Sequence, residues 1–320
     1  MENLAFLFPG QGSQAVGMGR DLCGAFPAAR RVFEEVDDAL SESLSRLIFE
    51  GPAEALDQTE NTQPALMAVS LAVMRVLEDE LGDALRVSFA AGHSLGEYSA
   101  LASFGVFGAG VAARLLRLRG RAMQEAVPAG EGGMSAVLGL PWSDVEEVAR
   151  DAGAAASAER DELRICVPAN DNADGQVVIS GHTDALGIAE RLADERGARR
   201  CVRLRVSAPF HSPLMGLAGE VMGRELGGVD FGELRVPVVS NVLAEAVGGA
   251  GDFRDLLVRQ VTAPVRWRES MLFLGGGGVD FLVEVGAGRV LCGLAKRTVP
   301  GVASMSVSTP QDVQDFLSLY

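Results

Sequence analysis

The segment Gly92-His93-Ser94-Leu95-Gly96 constrains this chain more than any other. It stands between a short apolar run over residues 87–91, read as a strand, and a helical pattern over 95–103. A GxSxG pentapeptide in that setting predicts a sharp strand-to-helix turn that leaves the serine projecting from a sheet edge. The glycines have a steric purpose, because backbone packs on backbone on both sides of the serine and side chains there would obstruct the turn. Such a turn belongs to an α/β chain. The Ser94 hydroxyl would lie at a helix amino terminus, where exposed N–H groups, that of Leu95 above all, can stabilise an oxyanion. A chain with 39 glycines can also produce such a pentapeptide by chance.

The rest of the chain fits an α/β rhythm. Residues 4–8 form a continuous apolar run ending at Pro9-Gly10, as a strand buried on both faces does. Pro27 suits the first position of a helix through Leu40, and Thr62 suits the cap of a helix over 63–81. Between 134 and 205 the order changes to strand 134–140, helix 143–152, strand 164–169, strand 176–180, helix 183–197 and strand 200–205. This βαββαβ series is that of a ferredoxin-like unit. Strands over 236–240 and 279–285 then alternate with helices over 212–226, 253–261 and 268–274, and Gly275 to Gly278 reads as a loop. The expected organisation is an α/β-hydrolase-like large domain with a parallel sheet, residues 1–130 and 206–320, carrying an inserted ferredoxin-like subdomain, residues 131–205.

With 48% hydrophobic residues, 22% charged residues and no long apolar run, a soluble globular chain is expected, with no membrane span. The start, Met1-Glu2-Asn3-Leu4, has no basic leader, which points to the cytoplasm. Cys23, Cys166, Cys201 and Cys292 are scattered, so neither a disulfide framework nor a metal site is expected. A net charge of −15 argues against nucleic acid. It also repels an acidic protein partner, which would need a local arginine patch such as Arg196, Arg199, Arg200 and Arg203, although a solvated helix end explains those residues equally well.

A nucleophilic serine needs a base, and the chain has three histidines: His93, His182 and His211. His93 neighbours the serine in a turn that throws adjacent side chains apart. His182 falls in a turn before the helix at Thr183, where a solvated role is expected. His211 lies in Ser207-Ala208-Pro209-Phe210-His211-Ser212-Pro213, a proline-framed loop where the inserted segment returns to the large domain. More than 100 residues follow it, unlike the late histidine of a hydrolase triad, and no acid is suitably placed. A dyad whose histidine is oriented by a backbone carbonyl fits better.

Several segments together carry a family likeness: Phe8-Pro9-Gly10-Gln11-Gly12-Ser13-Gln14, the elbow continued as Glu97-Tyr98, Arg117-Leu118-Arg119-Gly120, Pro209-Phe210-His211 and Val285-Gly286-Ala287-Gly288. Over essentially its whole length the chain resembles the malonyl-CoA:acyl carrier protein transacylases of fatty acid synthesis and the related acyltransferase domains of polyketide synthases. The resemblance implies that Ser94 is the nucleophile, His211 its base, and the N–H groups of Gln11 and Leu95 the oxyanion hole. It implies that Gln260 helps fix the histidine and that Arg119 pairs with the free carboxylate of a malonyl group. Phe210 and Leu95 match relatives selective for malonyl over methylmalonyl units. On sequence alone Gly10-Gln11-Gly12 is also an ordinary turn, Gln260 an ordinary helix residue, and Arg119 one of four arginines (Arg114, Arg117, Arg119, Arg121) on a solvated helix face.

The implied activity moves a malonyl group from coenzyme A to the phosphopantetheine thiol of an acyl carrier protein. Coenzyme A enters as the substrate thioester, no metal or bound cofactor is needed, and a monomer is expected. Two other readings remain: a serine thioesterase that lets water take the acyl group, and a non-catalytic module of the same fold. Gly132-Gly133 makes the entry to the insertion more glycine-rich than the family pattern, which would loosen it. The late Gly286-x-Gly288 lacks a third glycine at Leu291 and is no dinucleotide fingerprint.

Overall fold

A computed structural model describes residues 3–206 and 208–320. Ser207, and Met1-Glu2 of the start from which no basic leader was expected, therefore lie outside the described residues. The chain is mixed α/β with two sheets. The strands are β1 (Leu4–Phe8), β2 (Phe89–Gly92), β3 (Gly132–Leu138), β4 (Cys166–Ala173), β5 (Gln176–His182), β6 (Arg200–Arg203), β7 (Val238–Val239), β8 (Ala246–Val247), β9 (Phe281–Val285) and β10 (Ala303–Val307). The larger sheet has the order β10-β9-β1-β2-β7-β8. It is parallel from β10 to β7, and only β8 runs antiparallel to its neighbour.

β1 lies between β9 and β2, and every residue of Leu4–Phe8 is buried. A parallel strand covered by helices on both faces needs such a continuous apolar run. One face is covered by the helix Thr59–Leu81, whose middle, from Ala65 to Val69, is wholly buried. The opposite face packs against Trp267, Met271 and Leu291 from the helices Trp267–Gly276 and Val290–Thr298. The carboxyl ends of β1 and β2 lead directly into the loop at Gly10 and the elbow at Ser94, where open parallel sheets place their ligands.

The second sheet is antiparallel with the order β4-β5-β3-β6, and the helices Trp142–Arg160 and Thr183–Glu195 bury their own apolar core against it. It is fastened to the rest of the chain through the far end of β4. Asn170 bridges to Val265, and the Asp171 carboxylate pairs with Arg268 at 2.8 Å. The carboxylate is 4% exposed, so this pair lies mostly out of water and resists screening better than the surface pairs do.

Several sequence expectations move. Thr62 is not a cap: the helix begins at Thr59, and the Thr62 hydroxyl donates back to the Leu56 carbonyl at 2.5 Å from inside the first turn. Gly275 and Gly276 close a helix rather than open a loop, and the helix expected over 143–152 continues through an alanine-rich stretch to Arg160. His182 is not a solvated turn residue; it ends β5, and its Nδ1 accepts from the Ile165 amide at 2.8 Å. The glycine-rich entry at Gly132-Gly133 is not loose either. A Cβ on Gly132 would stand 2.6 Å from Pro209 Cδ, so the missing side chain lets β3 pack against the loop that bears His211.

Candidate active site

The elbow is built as its glycines demand. A Cβ on Gly92 would come within 2.0 Å of the Gly96 carbonyl, and one on Gly96 within 2.2 Å of the Phe8 carbonyl. Both positions exclude any side chain. Ser94 itself sits at φ 54°, ψ −111°, an arrangement that costs a non-glycine residue about 1–3 kcal/mol and needs surrounding contacts to hold it. Asn241 provides two of them. Its Nδ2 donates to the Gly92 carbonyl and its Oδ1 accepts from the Ser94 amide, each at 2.7 Å.

The structure brings Ser94 and His211 together: Ser94 Oγ lies 2.8 Å from His211 Nε2. On its other side His211 Nδ1 lies 2.9 Å from the backbone carbonyl of Gln260. A carbonyl only accepts, so Nδ1 carries the proton and Nε2 presents its lone pair to the serine hydroxyl. His211 is 4% exposed, and burial, aided by the positive charge of Arg119, pushes its pKa down to about 3. The imidazole is therefore neutral at any ordinary pH.

Arg119 does not lie on a solvated face. It is 1% exposed, whereas Arg114 and Arg121 on the same helix, Ala109–Glu125, are exposed. Its guanidinium donates to Gln63 Oε1 at 2.7 Å, to Gln260 Oε1 at 2.9 Å and to Ser94 Oγ at 3.2 Å. Tyr98 lies beneath it, with the guanidinium carbon 5.6 Å from the ring centre. Burial lowers its pKa from the ordinary guanidinium value. The Gln260 side chain also donates to the Ser94 carbonyl at 3.1 Å and to the carboxyl group of Glu97. Glu97 is fully buried, with no cation bonded to it among the described residues, and desolvation raises its pKa to about 8.

Gln11 and Leu95 flank the same cleft. Leu95 is the first residue of the helix after the elbow, so its N–H precedes any intrahelical acceptor. The Gln11 side chain reaches Thr59 Oγ1 at 3.3 Å. The cleft encloses about 350 Å³ and is walled by Met123 and Met134 as well as by Phe210, which is 7% exposed. His93 points elsewhere: its Nε2 lies 2.8 Å from Asn172 Oδ1 and its ring stands 5.3 Å from that of Trp267. Sequence reasoning missed Asn241, Gln63 and Glu97. For Glu97 the available signal was a single charged residue within the otherwise uncharged stretch 95–103, whereas Gln63 follows the polar run Thr59-Glu60-Asn61-Thr62 and carried none.

Of the arginines considered for a docking patch, Arg196 is paired with Glu147 and Asp151, and Arg203 with Glu190. Those two contribute little net positive field.

A strained serine at a strand–helix elbow, hydrogen-bonded to a neutral buried imidazole at the base of a cleft, is the arrangement of α/β proteins built to activate a serine hydroxyl. Comparison with known proteins narrows the class. The model of the acyl transferase domain family matches residues 5–310, and the chain belongs to that family. It is 42% identical over 314 residues to the malonyl CoA-acyl carrier protein transacylase of Bacillus subtilis (strain 168), covering 98% of this chain and 96% of that one. The acyl-carrier-protein-S-malonyltransferase of Bartonella henselae superposes with a TM-score of 0.93 at 48% identity, covering 99% of both chains. A malonyl-transacylase solved in complex with a type II polyketide acyl-carrier protein superposes with a TM-score of 0.94 at 40% identity over the full length of both.

Proposed function

We propose that this chain transfers a malonyl group from coenzyme A to the phosphopantetheine thiol of an acyl carrier protein, supplying fatty acid or polyketide chain extension. The observation that carries this reading is the 2.8 Å contact between Ser94 Oγ and His211 Nε2 beside a buried arginine in one cleft. The relatives' names and the carrier complex of one neighbour supply the substrate and partner.

The mechanism is a ping-pong reaction of a serine–histidine dyad. Ser94 Oγ attacks the thioester carbonyl as its proton passes to His211 Nε2, and the oxyanion forms against the N–H groups of Gln11 and Leu95. The carbon–sulfur bond breaks, the coenzyme A thiolate takes the proton from the imidazolium, and a malonyl ester remains on Ser94. The carrier thiol then gives its proton to His211 and attacks the ester, and Ser94 leaves with that proton. Gln260 orients the imidazole through its carbonyl and Arg119 through its side chain. Arg119 grips the malonyl carboxylate through two parallel hydrogen bonds. Phe210 limits room for a branch at the reacting carbon.

In the same reading, residues 1–130 and 206–320 form a hydrolase-like catalytic domain, and 131–205 an inserted ferredoxin-like subdomain. The strand order β4-β5-β3-β6 supports the latter. The protein works as a cytoplasmic monomer without a bound cofactor, and none of its described helices is long and apolar enough to cross a membrane. Intact mass after brief mixing with malonyl-CoA tests the proposal. The parent gains a malonyl-sized adduct that carrier protein discharges, and Ser94→Ala gains none. An adduct lost to water at the same rate with and without carrier would make the chain a thioesterase.

A further inference from the structure

We infer that Asn241 is a positioning residue that holds Ser94 in its attacking conformation by extending the sheet ladder through its side chain. The inference rests on the reading of Ser94 as nucleophile. β7 pairs with β2 in parallel, Ala90 opposite Val238 and Ala91 opposite Val239, and the pairing stops there. Beyond that point, on the side of the elbow away from β1, the Gly92 carbonyl and the Ser94 amide have no described strand beside them. The Asn241 carboxamide takes the strand's place. It donates to the first and accepts from the second, both at 2.7 Å.

Chemistry fixes the orientation of the carboxamide, since a carbonyl oxygen only accepts and an amide N–H only donates. Among side chains of this size, only asparagine's offers a donor and an acceptor side by side without first taking up a proton. Asn241 is fully buried, and its own backbone is tied down on both sides: its N–H to Glu97 Oε1 at 3.3 Å and its carbonyl to the Arg266 amide at 3.1 Å. A side chain so anchored sets the position of the residues it bonds rather than following them. Gln260 Nε2 approaches the same Oδ1 at 3.4 Å, which joins the clamp to the residue whose carbonyl orients His211.

Asn241→Asp tests this without a change of size. An ionised aspartate still accepts from the Ser94 amide but repels the Gly92 carbonyl, whereas a protonated one restores both bonds. The electronegative Gly92 carbonyl favours the protonated form and Arg119 opposes it; Glu97, on the elbow's helix, keeps its own proton over most of this range and adds a charge that favours the protonated form only as pH passes about 8, and His211 stays neutral throughout. Rates of malonyl loading are measured from malonyl-CoA by rapid-quench intact mass between pH 5.5 and 8.5, beside the parent. The expected result is a loading rate roughly 10- to 100-fold below the parent at high pH, recovering toward it as pH falls, with little change in the malonyl-CoA concentration at half-saturation. Asn241→Leu, with neither bond, stays slow at every pH.

If the parent fails to load, the serine reading itself is wrong. If the parent loads and Asn241→Asp matches it, or is slow with no dependence on pH beyond the parent's, the positioning role is wrong. Should both variants misfold, hydrogen exchange in the parent decides. The Ser94 amide is expected to exchange far more slowly than the Leu95 amide beside it, and equal rates would overturn the inference.

Discussion

Arg119→Met separates charge recognition from packing. Methionine matches the length of the arginine stem and keeps an apolar chain over Tyr98, but removes the guanidinium that donates to Gln63, Gln260 and Ser94. A malonyl carboxylate delivered to this cleft would then be desolvated without a partner. Losing one member of a buried charge pair costs about 3–5 kcal/mol, and the mouth of the cleft admits some water, so the lower end applies. About 3 kcal/mol is a loss of roughly 150-fold in the preference for malonyl over acetyl. Structural damage common to both substrates, such as the Gln63 and Gln260 oxygens left without a donor, cancels in that ratio. The assay is competitive loading from malonyl-CoA and acetyl-CoA, read as the ratio of kcat/KM. A ratio within twofold of the parent would refute the assignment of Arg119 to the carboxylate.

Two further outcomes follow from the buried titrating groups. With His211 held near pKa 3, kcat/KM for loading is expected to stay level from pH 8 down to about 5, and a decline centred near 6.5 would show an ordinary solvated imidazole. Glu97, raised to about 8 from an ordinary value of 4.5, keeps its proton in the folded chain after the unfolded chain has lost it. Its contribution to stability is therefore complete below pH 4.5 and is lost as pH rises through 8, so denaturant titrations should show the parent losing a few kcal/mol relative to Glu97→Gln across that window; parallel curves would contradict a buried neutral Glu97.

The elbow was legible in the sequence because its constraint is local: backbone approaching backbone at Gly92 and Gly96 admits only glycine, whatever the rest of the chain does. His211 was legible by elimination among three histidines. Arg119 was legible only through the family likeness, because four arginines at short spacing look alike until a neighbouring helix covers one of them. That cover depends on Gly120, where a Cβ would stand 2.6 Å from Glu60 Cα, so the two helices touch through a glycine and seal Arg119 from water. Asn241 was hidden for a related reason. Its bonds reach residues 147 and 149 positions away in the chain, and no local pattern marks a side chain that continues a sheet. Element order survived where hydrophobic periodicity was strong, and boundaries moved where alanine and glycine, as at 153–160, leave helix and loop equally patterned.

The electrostatics of the cleft link selectivity to the proton transfer itself. In the proposed mechanism His211 takes a proton while lying near the Arg119 guanidinium, and its orienting partner is a neutral carbonyl rather than a carboxylate. Arg119 is the second cause, after burial, of the low basicity of His211. A malonyl carboxylate paired with Arg119 cancels that repulsion as the base is needed, whereas an acetyl group leaves it in place. The substrate then supplies the negative charge that a triad would draw from an aspartate. One consequence distinguishes this from simple binding: in Arg119→Met, acetyl loading should rise in absolute rate, because the repulsion is gone, even as malonyl loading falls. Acetyl and malonyl rates that fell together would confine Arg119 to holding Ser94 in place.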